Sequence, residues 1–445
     1  MFGSVRWNDH LMQRYGQLDP HQCGYPRTAD FTTAIAPLDL LRALRDSRKA
    51  QRPLSLAVQL PLLPHDELTL YIADLEREID LLACHLGEHP RVERLQLNAG
   101  RASLDQLRRL IGHVQSRFEL NPHEPNEFSV EVELAHADWP LVGVLRELGF
   151  NQLSVSVPDL HADLGNSVEY FQSTSRIRAL IEAARTLHYL SVNVDLGYGR
   201  SWQTPTSFAR KLDSIIELQP DRVSMFDYRQ LPAPASRRLS LAPADVTQAL
   251  HRCGIERLAA AGYRFIGLGH FALPHDELTM AQELGCLRHD IGGYTTLAQF
   301  DHLGLGAGAV SRVGDLYVRN HSSIADYRQA LAQAQLPTDR GLLPASVDRG
   351  LRAIIEQLLC DGYLDFTSLQ ARAGVVFQER FATLQPLLEQ LQREGLLHLR
   401  AHGIEIQPDG CLLIPALCAV LAQPGLADRL TDALSSADSA SLSAR

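Results

Sequence analysis

An α/β fold built on a parallel sheet is the expectation for this chain, and three observations carry it. From Pro53 to Ser311, short runs rich in Val, Ile and Leu alternate with longer stretches whose apolar residues recur at helical spacing. Repeated strand–helix units imply parallel strands joined by crossovers. Hydrophobic content of 45% and charged content of 21% are those of a globular protein. The pattern alone is compatible with an open or partial barrel and with a doubly wound sheet. A barrel would place functional residues at the C-terminal strand ends.

Taken in order, residues 1–52 form an N-terminal arm, with Gln13-Arg-Tyr-Gly16 and Pro20–Pro26 as its recognisable segments. The strand–helix stretch, 53–311, has expected strands at Leu54–Leu60, Arg94–Asn98, Phe128–Leu134, Gln152–Val157, Leu190–Leu196, Arg222–Phe226 and Tyr263–Leu268. Helical patterns occupy Leu68–Leu86, Leu104–Phe118, Ser167–Leu187, Ser207–Leu218 and Pro243–Ala261. Residues 312–436 read as a small helical domain. Its helices are Ser346–Leu359 and Phe377–Glu394, followed by a two-stranded wing (Gly395–Arg400, Gly403–Gln407) and a helix near Leu412–Leu421. The Ser- and Ala-rich stretch 437–445 is expected to be disordered.

Composition excludes several function classes. No apolar run reaches the roughly 18 residues of a membrane span, and the N-terminus lacks the apolar core of a secretory signal, so a cytoplasmic location is expected. A net charge of −10 argues against general affinity for nucleic acid or anionic membrane. The helix–helix–wing order would suit a DNA-binding domain, but residues 341–445 carry eight Arg and no Lys against twelve Asp and Glu. Phosphate binding needs a basic surface, so this domain reads as a lid or packing unit. Only two lysines, Lys49 and Lys211, are present, which speaks against Schiff-base chemistry. The seven cysteines are scattered without C-x2-C or C-x3-C spacing and read as reduced, buried small hydrophobes.

Several blocks in one order resemble the oxygen-independent coproporphyrinogen III oxidases of the radical S-adenosylmethionine superfamily. They are Pro53–Pro61, Asn193-Val-Asp-Leu196 with Tyr198-Gly199, Phe226-Asp-Tyr228 with Leu231-Pro232, Phe265–Leu278 with Ala281-Gln282, Gly293-Tyr-Thr-Thr296 and Leu303–Ser311. The resemblance runs from about Trp7 to Ala422 and implies a partial (β/α)6 barrel with an arm over its mouth. It also implies a [4Fe-4S] cluster held by C-x3-C-x2-C after the first strand. Here Pro61 is followed by Leu-Leu-Pro-His-Asp-Glu-Leu, with no cysteine until Cys84. Thiolates hold such clusters, so no cofactor is expected for this chain.

Residue by residue, the resemblance implies a remnant S-adenosylmethionine site at Glu131, Asp195 and Gly100. Strand-end carboxylates accept hydrogen bonds from ribose hydroxyls or amino groups, and Gly100 admits backbone approach. An internal polar network would explain the two carboxylates equally well. Other matching positions have changed: Ala57, Gln59, Pro158, Tyr170 and Arg229 stand where the family has Tyr, His, Gln, Arg and a small residue. His65-Asp66-Glu67 is explained by the dipole of a helix start rather than by a metal. The kept blocks Gly267–Leu278, Gly293–Thr296 and Gly304–Ser311 are expected to line the barrel mouth away from the cluster side. A tetrapyrrole, haem or porphyrin, would then meet His270 and Tyr294, with His275 and His289 as further imidazoles.

The favoured expectation is a monomeric, non-catalytic relative that binds a tetrapyrrole or a protein of haem metabolism. One alternative is an active oxidase decarboxylating coproporphyrinogen III with an atypical cluster. Another is a cluster-free S-adenosylmethionine binder.

Overall fold

The computed structural model describes residues 5–15, 25–35, 37–121, 126–157, 167–230, 240–297, 299–343 and 348–423. Cys23, Pro158, Leu231-Pro232 and the 437–445 tail lie outside the described residues, as does the Tyr170 side chain.

The strands are β1 (Leu54–Gln59), β2 (Arg91–Asn98), β3 (Glu119–Leu120), β4 (Glu127–Glu133), β5 (Gln152–Val157), β6 (Ser191–Tyr198), β7 (Arg222–Asp227), β8 (Arg264–Gly267) and β9 (His270–Ala272). They continue as β10 (Arg288–Asp290), β11 (Gly293–Thr295), β12 (Asp301–Leu305), β13 (Val310–Val313), β14 (Leu316–Asn320), β15 (Thr338–Leu342), β16 (Tyr363–Asp365), β17 (Leu397–Arg400) and β18 (Gly403–Ile406). The main sheet runs β15-β14-β13-β12-β1-β2-β4-β5-β6-β7-β9-β8, with β3 beside β2. From β12 to β7 every pairing is parallel. At both flanks the added strands are antiparallel, and β15 and β8 do not meet. The result is an open barrel of mixed α/β construction, with a helical domain after it.

Alternation along the strands builds two environments. On β1, Leu54, Leu56 and Val58 are buried against helices, while Ser55, Ala57 and Gln59 alternate with them and face the lumen. The helix His65–Leu86 returns the chain from β1 to β2 and buries Leu68, Ile72, Leu75, Ile79 and Leu82. Ser103 and Gln106 form a reciprocal capping box at the start of Leu104–Arg117, which satisfies two otherwise orphaned backbone donors.

Three sequence expectations are corrected. Tyr263–Leu268 is not a further parallel strand: β8 turns straight into β9 as an antiparallel hairpin on the sheet edge. Only Leu268 and Gly269 separate them, whereas a parallel return needs a dozen residues or more. Nor does the sheet stop at 311, because β13–β15 extend it to Leu342, so 312–342 belong to the barrel sheet. Finally, Phe377–Glu394 is not one helix. Phe377–Arg380 and Gln385–Arg393 are separate, with Pro386 at the start of the second, where its missing N–H costs nothing.

Beyond 342, the helix Arg349–Asp361 starts at Asp348, whose carboxylate accepts from Leu351 N at 2.9 Å, and stops at left-handed Gly362. Leu351, Ile354, Leu358, Leu369, Phe377 and Leu388 belong to a second core, flanked by the small sheet β16-β18-β17. In the arm, Leu11 joins that core, and Trp7 meets His251 edge-on at 5.4 Å.

Glu78, 2% exposed, ties the helix His65–Leu86 to the β12–β14 flank. It accepts from Asn320 Nδ2 at 2.6 Å, Tyr327 OH at 2.6 Å and Gly306 N at 2.8 Å. Burial pushes its pKa up to about 7. Beside it, Tyr71 OH accepts from Ala307 N at 2.8 Å. Gly306 has φ +111°, and a Cβ there would sit 2.5 Å from that hydroxyl. Glu78→Ala is expected to lower unfolding free energy by about 3 kcal/mol, since three buried donors lose their acceptor. Urea denaturation measures this, and a loss below about 1 kcal/mol would show that the flank is held by apolar contacts alone.

Candidate functional site

Inside the open barrel, luminal positions of β2 and β4–β7 are occupied by polar side chains that bond one another. Asn98 Nδ2 donates to Glu131 at 3.0 Å. Asn193 Nδ2 donates to Asp195 at 2.8 Å and to Ser154 Oγ at 2.8 Å, and Ser154 donates in turn to Asp195. Ser224 Oγ donates to Asn193 Oδ1 at 3.0 Å and lies 2.8 Å from His270 Nδ1. Asp195 and His270, which the sequence assigns to separate ligands, are therefore members of one chain of hydrogen bonds. The strand register brings them together: Asp195 lies opposite Ser224, and Ser224 opposite His270.

Burial sets the protonation of this lumen. Desolvation, with the nearby charges of Asp195 and Glu133, pushes Glu131 up to about 7. Asp195 is raised as well, by burial, against the pull of its Ser and Asn donors. His270, His289 and His302 are all pushed down to about 4 by desolvation, so these imidazoles are neutral at physiological pH.

Gly100 sits where β2 leaves the sheet, at φ +52°, and its N–H donates to Asn98 Oδ1 at 3.1 Å. A Cβ there would approach Leu60 O to 3.3 Å, a tight contact that adds to the preference of the positive φ for glycine. Arg229, standing where the resemblance has a small residue, is neutralised by Asp227 at 2.6 Å. Tyr228 lies over Gly197, where an added Cβ would be 2.3 Å from its ring.

The kept blocks occupy other places than expected. Gly293–Thr296 does not line the mouth. Arg94 Nη2 donates to the carbonyls of Gly292 at 2.9 Å and Tyr294 at 3.0 Å, and Glu127 accepts from Thr295 Oγ1 at 2.6 Å and Thr296 N at 2.7 Å. Arg94 and Glu127 stand opposite each other near the strand starts, about 13 Å along β4 from Glu131. This block plugs the N-terminal end of the barrel. Tyr294 OH donates to Leu359 O at 3.2 Å, and a Cβ on Gly267, at φ +137°, would meet that hydroxyl. Tyr294 thus fastens the C-terminal domain to the β8–β9 hairpin. In Gly304–Ser311, a Cβ on Gly304 would lie 2.4 Å from Val310 O, so close strand packing accounts for that glycine. His275 is exposed and 3.5 Å from Asp221, away from the lumen.

The chain's own residues give different answers for the two cofactors of radical enzymes. After β1, the segment 60–64 enters the next helix with no thiolate. Cys84 and Cys286 are exposed, and Cys360, Cys411 and Cys418 are buried elsewhere. Among the described residues no three His, Cys, Asp or Glu side chains are grouped to hold a metal ion. These donors do not fit a [4Fe-4S] cluster. The carboxylates of Glu131 and Asp195 are acceptors of the chemical type that a nucleoside's hydroxyl and amino donors require, and Gly100 stands at the exit of the neighbouring strand.

Comparison with known proteins decides the family. The chain is 40% identical over 442 residues to an oxygen-independent coproporphyrinogen III oxidase of Pseudomonas aeruginosa, covering 94% of this chain and 96% of that one. The chain belongs to the oxygen-independent coproporphyrinogen III oxidase family. A Salmonella typhimurium oxidase of the same name is 32% identical over 93% of this chain and 94% of its own length. A model described as the HemN C-terminal domain matches residues 346–413. Among solved structures, the Escherichia coli coproporphyrinogen III oxidase HemN, described as a radical SAM enzyme, superposes with TM-score 0.82 at 29% identity, covering 94% of this chain and 99% of that one.

These relatives overturn the expectation that no cofactor is involved: this is a cofactor-using family. That expectation rested on the absent cluster cysteines, which say nothing against the other cofactor of the family.

Sequence reasoning missed Ser154, Asn193, Ser224, Arg94 and Glu127. For Ser154 and Asn193 the signal was strict alternation, in Gln152-Leu-Ser-Val-Ser156 and Ser191-Val-Asn-Val-Asp195, which marks a polar inner face. Among the described residues no helix is long and apolar enough to cross a membrane.

A raised folded-state pKa for a carboxyl means the folded protein binds the proton more tightly. Its stabilising contribution is full below the unfolded value of 4.5 and is lost as pH rises toward about 7. Glu131→Gln is therefore expected to flatten part of the fall in thermal midpoint between about pH 5 and about pH 8. Melting curves across that range check it, and an unchanged slope would place Glu131 in water.

Proposed function

We propose that this protein is a ligand-binding member of the coproporphyrinogen oxidase family that holds S-adenosylmethionine and a tetrapyrrole but does not itself perform the radical step. The observation that carries the reading is the split within one barrel. The luminal carboxylates and the glycine exit persist as an ordered network, whereas the β1 exit offers no thiolate.

S-adenosylmethionine, when bound, supplies an adenosyl group and a sulfonium that accepts an electron. In this protein Glu131, oriented by Asn98, accepts a hydrogen bond from a donor on the ligand. Asp195, oriented by Asn193 and Ser154, accepts another. Gly100 leaves room for the ligand's backbone-like end. A neutral His270 at the far end of the network donates or accepts one proton without placing a charge in the lumen. No side chain here delivers an electron, and residues that surround a cluster cannot replace its ligands. The tetrapyrrole reading is supported by relatives named for coproporphyrinogen III and by the retained fold.

Calorimetry on the full chain is expected to show S-adenosylmethionine binding that Glu131→Gln and Asp195→Asn each weaken about tenfold, or about 1.4 kcal/mol. Under a strong reductant no 5′-deoxyadenosine is expected. Formation of 5′-deoxyadenosine would establish an active radical enzyme instead, and absence of binding would make the carboxylates purely structural.

A further inference from the structure

A cavity of about 970 Å³ opens along the seam where the C-terminal domain faces the open side of the barrel. Its wall takes in His289 but neither His270 nor Tyr294. Much of it is apolar, with Tyr198, Met225, Phe265, Leu268, Phe300 and Tyr317 among the lining side chains.

Set into this wall are six guanidinium groups: Arg52, Arg288, Arg312, Arg349, Arg352 and Arg372. Four carboxylates, Asp290, Asp301, Asp315 and Glu356, face them, so the wall carries an excess of two positive charges (6 − 4). The whole chain has a net charge of −10. The arginines come from separate units. Arg52 precedes β1, Arg288 lies on β10, Arg312 on β13, Arg349 and Arg352 on the first helix of the C-terminal domain, and Arg372 on the helix Phe366–Ala373.

Internal pairing does not explain the convergence. Asp315 serves both Arg349 at 2.7 Å and Arg352 at 3.1 Å, and Asp301 serves Arg52 at 3.2 Å. Arg312 donates to the carbonyls of Phe300 and Gly314 and reaches Asp290 only at 3.9 Å. Arg288 is 3.9 Å from Glu356. Burial raises the Glu356 carboxyl above the ordinary carboxylate range, against the pull of the neighbouring arginines. His251 and His289, pushed down to about 4 by burial, add hydrogen-bonding capacity and no charge.

A guanidinium at an apolar wall is a bidentate receptor for carboxylate, and the cavity is as large as small-molecule pockets become. Together these features describe a broad apolar molecule bearing several carboxylates at its edge. We infer that the seam is where the carboxylate side chains of the tetrapyrrole are held, with Arg288 and Arg352 as specificity-determining residues. This rests on the reading of the ligand as a tetrapyrrole and goes beyond it in giving the ligand a place outside the lumen and a requirement for acidic substituents.

The test is a fluorescence and absorbance titration of the full chain with coproporphyrin III, which has four carboxylates, and with its tetramethyl ester. The free acid is expected to bind at one saturable site, at least tenfold tighter than the ester. Arg288→Gln and Arg352→Gln should each weaken the acid about tenfold, leaving the ester and S-adenosylmethionine unaffected. Arg352 also touches Tyr317 and Asp315, so if that variant fails to fold, Arg288→Gln together with exposed Arg372→Gln carries the same test. Equal binding of acid and ester, or full binding by the arginine variants, would overturn the seam assignment while leaving the tetrapyrrole reading in place. If the unaltered chain binds neither form, the tetrapyrrole reading falls and takes the seam assignment with it.

Discussion

Parallel strands that curl into an open barrel turn one face away from bulk water, and here that face is polar. Such a face stands only if its side chains satisfy one another, because an unpaired polar group in a low-dielectric interior costs more than a made hydrogen bond returns. The chain from Asp195 through Ser154, Asn193 and Ser224 to His270 meets that requirement. Arg94 and Glu127 do the same for the floor, where they seize the β10–β11 hairpin. The positions of the candidate ligand-binding groups follow from this mutual satisfaction.

The luminal network and the loop after β1 are under different constraints: segment 60–64 carries no thiolate and leads straight into the next helix, whereas the luminal groups hold one another. Glu131 and Asp195 are embedded in the lumen, and removing either takes an acceptor away from Asn98 or from Asn193 and Ser154. Retention of these carboxylates therefore reports on folding as well as on binding, and substitutions that keep shape while removing charge separate the two. The C-terminal domain is held in a comparable way. Tyr294 reaches Leu359 through space that Gly267 leaves open, and the seam cavity beside this contact is a consequence of the docking.

How much of this was legible in the sequence depended on whether a residue's neighbours lie near it in the chain. Strands β1, β2 and β4–β7 announced themselves by apolar alternation, and the helices between them by spacing. The winged C-terminal unit was legible for the same reason, down to the pair of strands around Gly403. By contrast, Tyr263–Leu268 carries no sign of direction in its apolar run, and its antiparallel pairing follows from the turn at Leu268-Gly269. Strands β13–β15 were hidden by charged edge residues such as Arg319, Asp339 and Arg340. Gly293-Tyr-Thr-Thr296 was read as a ligand wall, because the partners that explain it, Arg94 and Glu127, are more than a hundred residues away. Ser224 belongs to no motif, Asn193 opens a block in which only Asp195 drew attention, and the seam arginines converge only once the two cores are docked.

The central claim is that the barrel keeps its binding groups without thiolates to hold a cluster. The most direct measurement is anaerobic reconstitution with iron and sulfide, followed by electron paramagnetic resonance of the reduced protein. The account expects no signal of a reduced [4Fe-4S] centre and no stoichiometric iron or sulfide retained after desalting. A reduced-cluster signal near one per chain, lost when any of the seven cysteines is replaced, would contradict it.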